Sequence, residues 1–241
     1  MNKQIRIIID IVMALLMPLL MAYSLIGETL HEIIGSAILV LFVVHHILNR
    51  RWYGAMFRGK YNAARVFRTV LNILLLAFMI LQPLSGILLS KHLYTFLPTL
   101  PISAQARSVH MLLAYGGYVL LCVHAGTHLT APIKQLITKN PKAAAAVFIL
   151  LGGISAYGII AFVKRGFPGY MFAKTAFAFF DYSEPVVLFL LDYAFVIFAV
   201  FFNVHNESPP PMRICLFALF LVIHDRAAQH AGSDDVLMGY Q

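Results

Sequence analysis

Six stretches of this chain are apolar for long enough to cross a bilayer as helices: residues 7–26, 31–48, 69–90, 108–131, 145–163 and 185–203. A hydrocarbon layer of about 30 Å takes roughly 20 helical residues. Inside that layer each backbone N–H and C=O must find its partner within its own segment or a closed barrel. The fold class expected is therefore an all-α integral membrane protein, a transmembrane bundle of about six helices. Composition agrees, because 12% of the residues are charged, about half the usual share in a soluble domain, and the mean hydropathy is +0.82. Residues 1–203 form the transmembrane domain. Residues 204–241 open with "HNESPPPM" and continue through an apolar run, Arg213 to His224, that is too short to span. They are read as a C-terminal tail to which the sequence assigns no regular structure. The first run follows Lys3 and Arg6 but is long for a signal peptide and has no clear small-residue cleavage site, so it is read as a retained span.

A net charge of +8 can signal nucleic acid, but here the basic residues lie in the loops between spans, and no nucleic-acid partner is expected. The partner they suit is membrane lipid. Lys3, Arg6, Arg50, Arg51, Arg58, Lys60, Arg65, Arg68, Lys134, Lys139 and Lys142 fall on one side, against Lys91, Arg107, Lys164, Arg165 and Lys174 on the other. The positive-inside rule then places the N-terminus in the cytoplasm. Two loops face outward, 91–107 and the aromatic-rich 164–185. Cys122 and Cys215 stand alone in apolar runs and make neither a disulfide framework nor a metal motif.

Histidine is costly in hydrocarbon, and the second and fourth spans carry several. His31 and His45 are fourteen positions apart, and so are His110 and His124. At about 100° and 1.5 Å per residue, fourteen steps return to nearly one helix face about 21 Å further along. Both spans run from outside to inside, so His31 is expected level with His110, and His45 with His124. Zinc asks for three or four ligands in a tetrahedron, whereas haem supplies four nitrogens and leaves two axial places. The spacing therefore predicts two stacked haems, with His31 and His110 on the outer haem iron and His45 and His124 on the inner. His46 and His128 are the alternatives for the inner pair; from His110 to His128 is eighteen positions, five full turns. Gly35, Gly116, Gly117 and Gly126 would let the helices approach a flat group closely.

Other polar residues have two readings each. Glu28, Glu32 and Arg107 gather at the outer face, where they either cap helix ends or, for Arg107, pair with a haem propionate, and for the acids, form a proton path. Arg50 and Arg51 could reach inner propionates but also serve orientation. His92, His205, His224 and His230 are assigned nothing.

The segments "GETLHEIIG", "HHILNRRWYGAMFRGKY", "NILLLAFMILQPLSGILLS", "RSVHMLLAYGGYVLLCVHAGTH" and "FVKRGFPGYMFAKTAFAFFDYSEP" resemble the flavinylation-associated cytochrome domain family, whose cytochrome b-like four-helix core is similar to that of ferric reductases. The likeness covers roughly residues 5 to 203, and its specific part is the paired histidines. The segment after Asn203 departs from the family pattern, in which the last helix ends in a short basic tail. The resemblance implies two haem b groups, a bacterial cytoplasmic membrane, and electron transfer across it to an extracytoplasmic flavin-bearing partner. The sequence contains no G-x-G-x-x-G fingerprint and no soluble domain for flavin or nicotinamide, so the donor expected is quinol or another protein. The chain is thus expected to serve as an electron-transfer subunit of an oxidoreductase system. Two other classes also use such sequences: a histidine-dependent metal or proton transporter, and a haem-free membrane anchor subunit.

Overall fold

The computed structural model describes residues 3–97, 103–139, 141–175, 177–178 and 180–205; the tail from 206 onward, with the Arg213–His224 run, lies outside them. The described residues are helical, with no strand among them. In chain order the elements are α1 (Lys3–Met21), α2 (Tyr23–Ile26), α3 (Glu28–Leu48), α4 (Arg51–Met56), α5 (Ala63–Leu89), α6 (Ser103–Lys139), α7 (Pro141–Lys164), α8 (Phe167–Met171) and α9 (Val186–His205).

Among the described residues, four helices are long and apolar enough to cross a membrane: α1, α3, α5, and α6 over Ala104–His128. Shorter apolar segments, Ile149–Lys164 and Val186–Ala199, lie in α7 and α9. On α1 no residue is buried, and Ile5, Ile7, Ile8, Ile11 and Leu15 are all exposed. An apolar face that large marks a surface meant for something other than water; lipid is the solvent that suits it. These features are those of a multi-pass membrane protein.

Local chemistry explains the helix ends. Gly27 takes φ +79° between α2 and α3, a backbone region open to glycine, so the chain reverses at once and α3 starts three residues before the expected 31. Asn62 caps α5 by accepting from the Arg65 N–H at 2.9 Å, which starts that helix at 63 instead of 69. At the end of α7, Gly166 (φ +68°) turns the chain, and Pro168 opens the short α8.

α1 packs on α3, α3 on α5, and α5 on α6, while α9 packs on α6, α7 and α1. The best-buried side chains gather where α6, α7, α8 and α9 meet: Tyr118, Phe162, Phe167, Tyr193 and Val196. In lipid, association between helices rests on close packing and satisfied polar groups, and both occur here. Phe162 stacks on Phe167 at 4.7 Å, and the buried Tyr118 hydroxyl donates to the Tyr193 carbonyl at 2.9 Å. α3 and α6 face each other across the bundle without packing closely among the described residues, and His31 and His110 project into the gap between them.

Candidate functional site

His31, in the first turn of α3, and His110, near the start of α6, face each other with ring centres 6.2 Å apart and planes at 68°. They line a cavity of about 380 Å³ together with Gly35, Gln82, Gly86 and Arg107. That volume falls in the range of small-molecule and cofactor pockets. α5 sets the His110 ring from behind. The Ser85 hydroxyl donates to the Gln82 carbonyl at 2.7 Å and so has no second proton to give. At its 3.0 Å contact with His110 Nδ1 it must therefore accept, and Nδ1 carries the ring proton. Nε2 is left with its lone pair, and the Gln82 side-chain amide donates to it at 3.2 Å.

Two buried polar atoms in this cavity have no partner, His31 Nδ1 and Gln82 Oε1. Buried polar groups are nearly always paired, so the cavity is chemically incomplete as the chain alone forms it. Two imidazoles bonded to opposite sides of one metal ion, at roughly 2 Å each, would have ring centres roughly 6 Å apart. The His31–His110 separation matches that, and a ligand on His110 Nε2 would displace the Gln82 amide. Gly86 makes the ring position possible, since a Cβ there would stand 3.2 Å from His110 Cε1. Gly35 opens onto the cavity with nothing within 4 Å of a Cβ. Gly116 does different work from that expected: its missing Cβ makes room for Phe78, 2.9 Å away. Arg107 lies over the Phe177 ring at 4.9 Å.

The other histidines gather at the far end of the same helices. His45 Nδ1 meets Asp10 Oδ1 of α1 at 2.7 Å; a carboxylate only accepts, so Nδ1–H donates and Nε2 keeps its lone pair. His124 Nδ1 likewise meets the Asn72 amide oxygen of α5 at 2.9 Å and donates to it. His46 binds the Tyr53 hydroxyl through Nδ1 at 2.6 Å and packs on Phe42. His128 is exposed, with its ring 4.8 Å from that of His124. Asp10, His45, His46 and His128 all stand close enough to bear electrostatically on His124, so the two histidine-bearing helices run in parallel. His31 and His110 are in ring contact; His45 and His124 are brought to one end of the bundle without ring contact.

The acids at the cavity mouth are taken up by the loop after α5. Glu32 accepts from the Ser90 hydroxyl at 2.7 Å and from the amides of Lys91, His92 and Leu93 at 2.8, 3.2 and 2.8 Å. Glu28 pairs with Lys91 at 2.7 Å and accepts from the Tyr23 hydroxyl. Both carboxylates therefore tie the loop after α5 to α3.

A second polar cluster lies beside the aromatic core. Asp192, fully buried in α9, accepts from Tyr157, Lys164 and Arg165, and Glu184 pairs with the same two cations at 2.9 and 2.7 Å. Arg165 holds the Glu184 carboxyl below the usual carboxylate range. Sequence reasoning placed Asp192 in a span but did not find its partners, nor Gln82, Ser85, Gly86 and Asn72 behind the histidines. The available signal was a polar residue inside an apolar run. Among the described residues no group of three or more His, Cys, Asp or Glu side chains is placed to hold a bare metal ion. Comparison with protein-family models, with curated proteins and with solved structures finds no match to this chain.

Proposed function

We propose that this chain is a di-haem b-type cytochrome of the bacterial cytoplasmic membrane, with about six transmembrane helices and a cytoplasmic N-terminus. It passes electrons from quinol or a partner protein to an extracytoplasmic flavoprotein or another acceptor. The observation that carries this reading is the pair His31 and His110, facing each other at 6.2 Å across a cavity with unsatisfied polar atoms. Haem bound there, held by His31 and His110 and by His45 and His124, would supply one-electron transfer.

The chain's residues supply the holding and the environment. Ser85, Asp10 and Asn72 each take the Nδ1 proton of His110, His45 and His124, leaving Nε2 as the ligand atom in all three. Metal-binding histidines characteristically donate their other ring proton in this way. His46 Nδ1 also has a partner, the Tyr53 hydroxyl, so the choice of His45 over His46 rests on the matched fourteen-residue spacing with His124. Arg107, at the cavity wall, is the cation available to an outer propionate. Binding is non-covalent, because the sequence contains no C-x-x-C-H attachment motif.

The test is the absorption spectrum of the purified protein. Dithionite reduction should produce a b-type α-band, and pyridine haemochrome analysis should give two haems per chain. A spectrum without haem would overturn the reading and leave the transporter and anchor alternatives.

A further inference from the structure

The two histidine levels differ in what stands behind the rings. At the outer level, His110 gives its Nδ1 proton to a neutral hydroxyl, Ser85, and His31 has only the neutral Leu20 backbone as a hydrogen-bond partner, its Nδ1 having none. At the inner level, His45 gives its proton to a carboxylate at 2.7 Å. Asp10 itself stands among the exposed Ile7, Ile8 and Ile11 of α1, where a charge without a partner is costly. Its placement is accounted for by the bond to His45.

A carboxylate that accepts an imidazole N–H draws the proton toward itself and makes the ring a stronger electron donor. A stronger donor stabilises the ferric state and lowers the reduction potential. At the outer level Arg107 lines the cavity as a cation, and the carboxylate of Glu28 there is paired with Lys91 at 2.7 Å. Glu32 lies near His31, but four donors of the 90–93 loop take up its carboxylate and none of its contacts is to the ring. Arg68 lies near His128, the residue set aside as a ligand.

We infer that Asp10, a positioning residue acting through His45, poises the inner haem at a lower potential than the outer one, so that electrons run downhill from the cytoplasmic to the outer face. The inference rests on the di-haem reading above, which already has electrons leaving toward the outer face, and adds to it the residue that sets the inner potential.

Redox titration of the purified wild-type protein and of three variants tests it. Wild type should resolve into two components. His45→Ala should lose the lower-potential component and keep the higher. Asp10→Asn keeps an oxygen acceptor for Nδ1 and removes the charge; the lower component should rise by about tenfold in its reduction equilibrium, about 59 mV for one electron. The other component should stay in place, and Asp10→Glu should restore the original value. Loss of the higher component with His45→Ala overturns the inference while leaving two haems in the protein. So does an Asp10→Asn protein whose lower potential is unmoved, or whose two potentials move equally. Loss of the inner haem in Asp10→Asn would make Asp10 a holder of that haem and no tuner of its potential, and overturns the inference as well. A wild-type protein without haem overturns the functional reading itself, a distinct result.

Discussion

Arg165 grips Asp192 through two nitrogens, at 2.8 and 2.6 Å, in a place where the Asp192 side chain is wholly shielded. Without Asp192 the largely buried Arg165 keeps Glu184 as its carboxylate partner and loses charge-assisted hydrogen bonds of the kind worth about 1.5–3 kcal/mol. Asp192→Ala should therefore lower the thermal unfolding midpoint in detergent strongly. Tyr157→Phe removes one hydrogen bond to Asp192 and leaves its cations paired, at a cost of about 1 kcal/mol. Equal midpoints for wild type and Asp192→Ala would show that the cluster does not hold α7 to α9.

Glu184 gives the same cluster a pH dependence. Its carboxyl is held below the ordinary 4.5, first by the hydrogen bond from Arg165. A lowered folded value means that the stabilisation is complete above pH 4.5 and disappears as pH falls through the folded value. Wild type should thus unfold at a higher temperature than Glu184→Gln at neutral pH, and the gap should close in acid. A gap that stays constant from pH 7 to pH 3 would assign the difference to packing.

Replacing single histidines should divide the haems cleanly. His31→Ala or His110→Ala is expected to leave one haem per chain by pyridine haemochrome, and His45→Ala or His124→Ala to leave the other one. His46→Ala and His128→Ala should retain both. If His128→Ala loses a haem while His124→Ala does not, the inner ligand on α6 is His128.

The residues behind His110 should matter in two different ways. Ser85→Ala removes the acceptor of the Nδ1 proton, and partners of that kind are worth about 10–100-fold in metal affinity; outer haem occupancy should fall on titration with haem. Gly86→Val forces a branched side chain into the space beside His110 Cε1, where even a Cβ stands at 3.2 Å. Its expected outcome is loss of the outer haem with the inner one retained.

Much of this architecture can be read from the chain because lipid makes hydrophobicity nearly one-dimensional. The long apolar runs became α1, α3, α5 and α6, and the fourteen-residue histidine spacing led to His31 facing His110. Helix rotation about the axis was harder to read, since apolar residues surround each span. Ser85, Asn72 and Asp10 could not be matched to His110, His124 and His45 without knowing which faces meet. Gly116 was misassigned for the same reason: it turns toward Phe78, and the glycine that seats a histidine is Gly86, on a helix with no histidine of its own. The Asp192 cluster joins residues from α7, α9 and the loop between them. Its logic is charge balance among side chains up to 28 positions apart, and no local periodicity records it.

Glu32 is the chain neighbour of His31, and its carboxylate is bound by three successive amides and a hydroxyl of the segment 90–93. The loop and the imidazole therefore do not have separate positions. Glu32 thereby ties Ser90–Leu93 to the opening turn of α3, the turn that carries His31. The outer loop and the cavity wall are thus a single piece of structure, with Ser90 and Lys91 themselves lining the cavity beside His31.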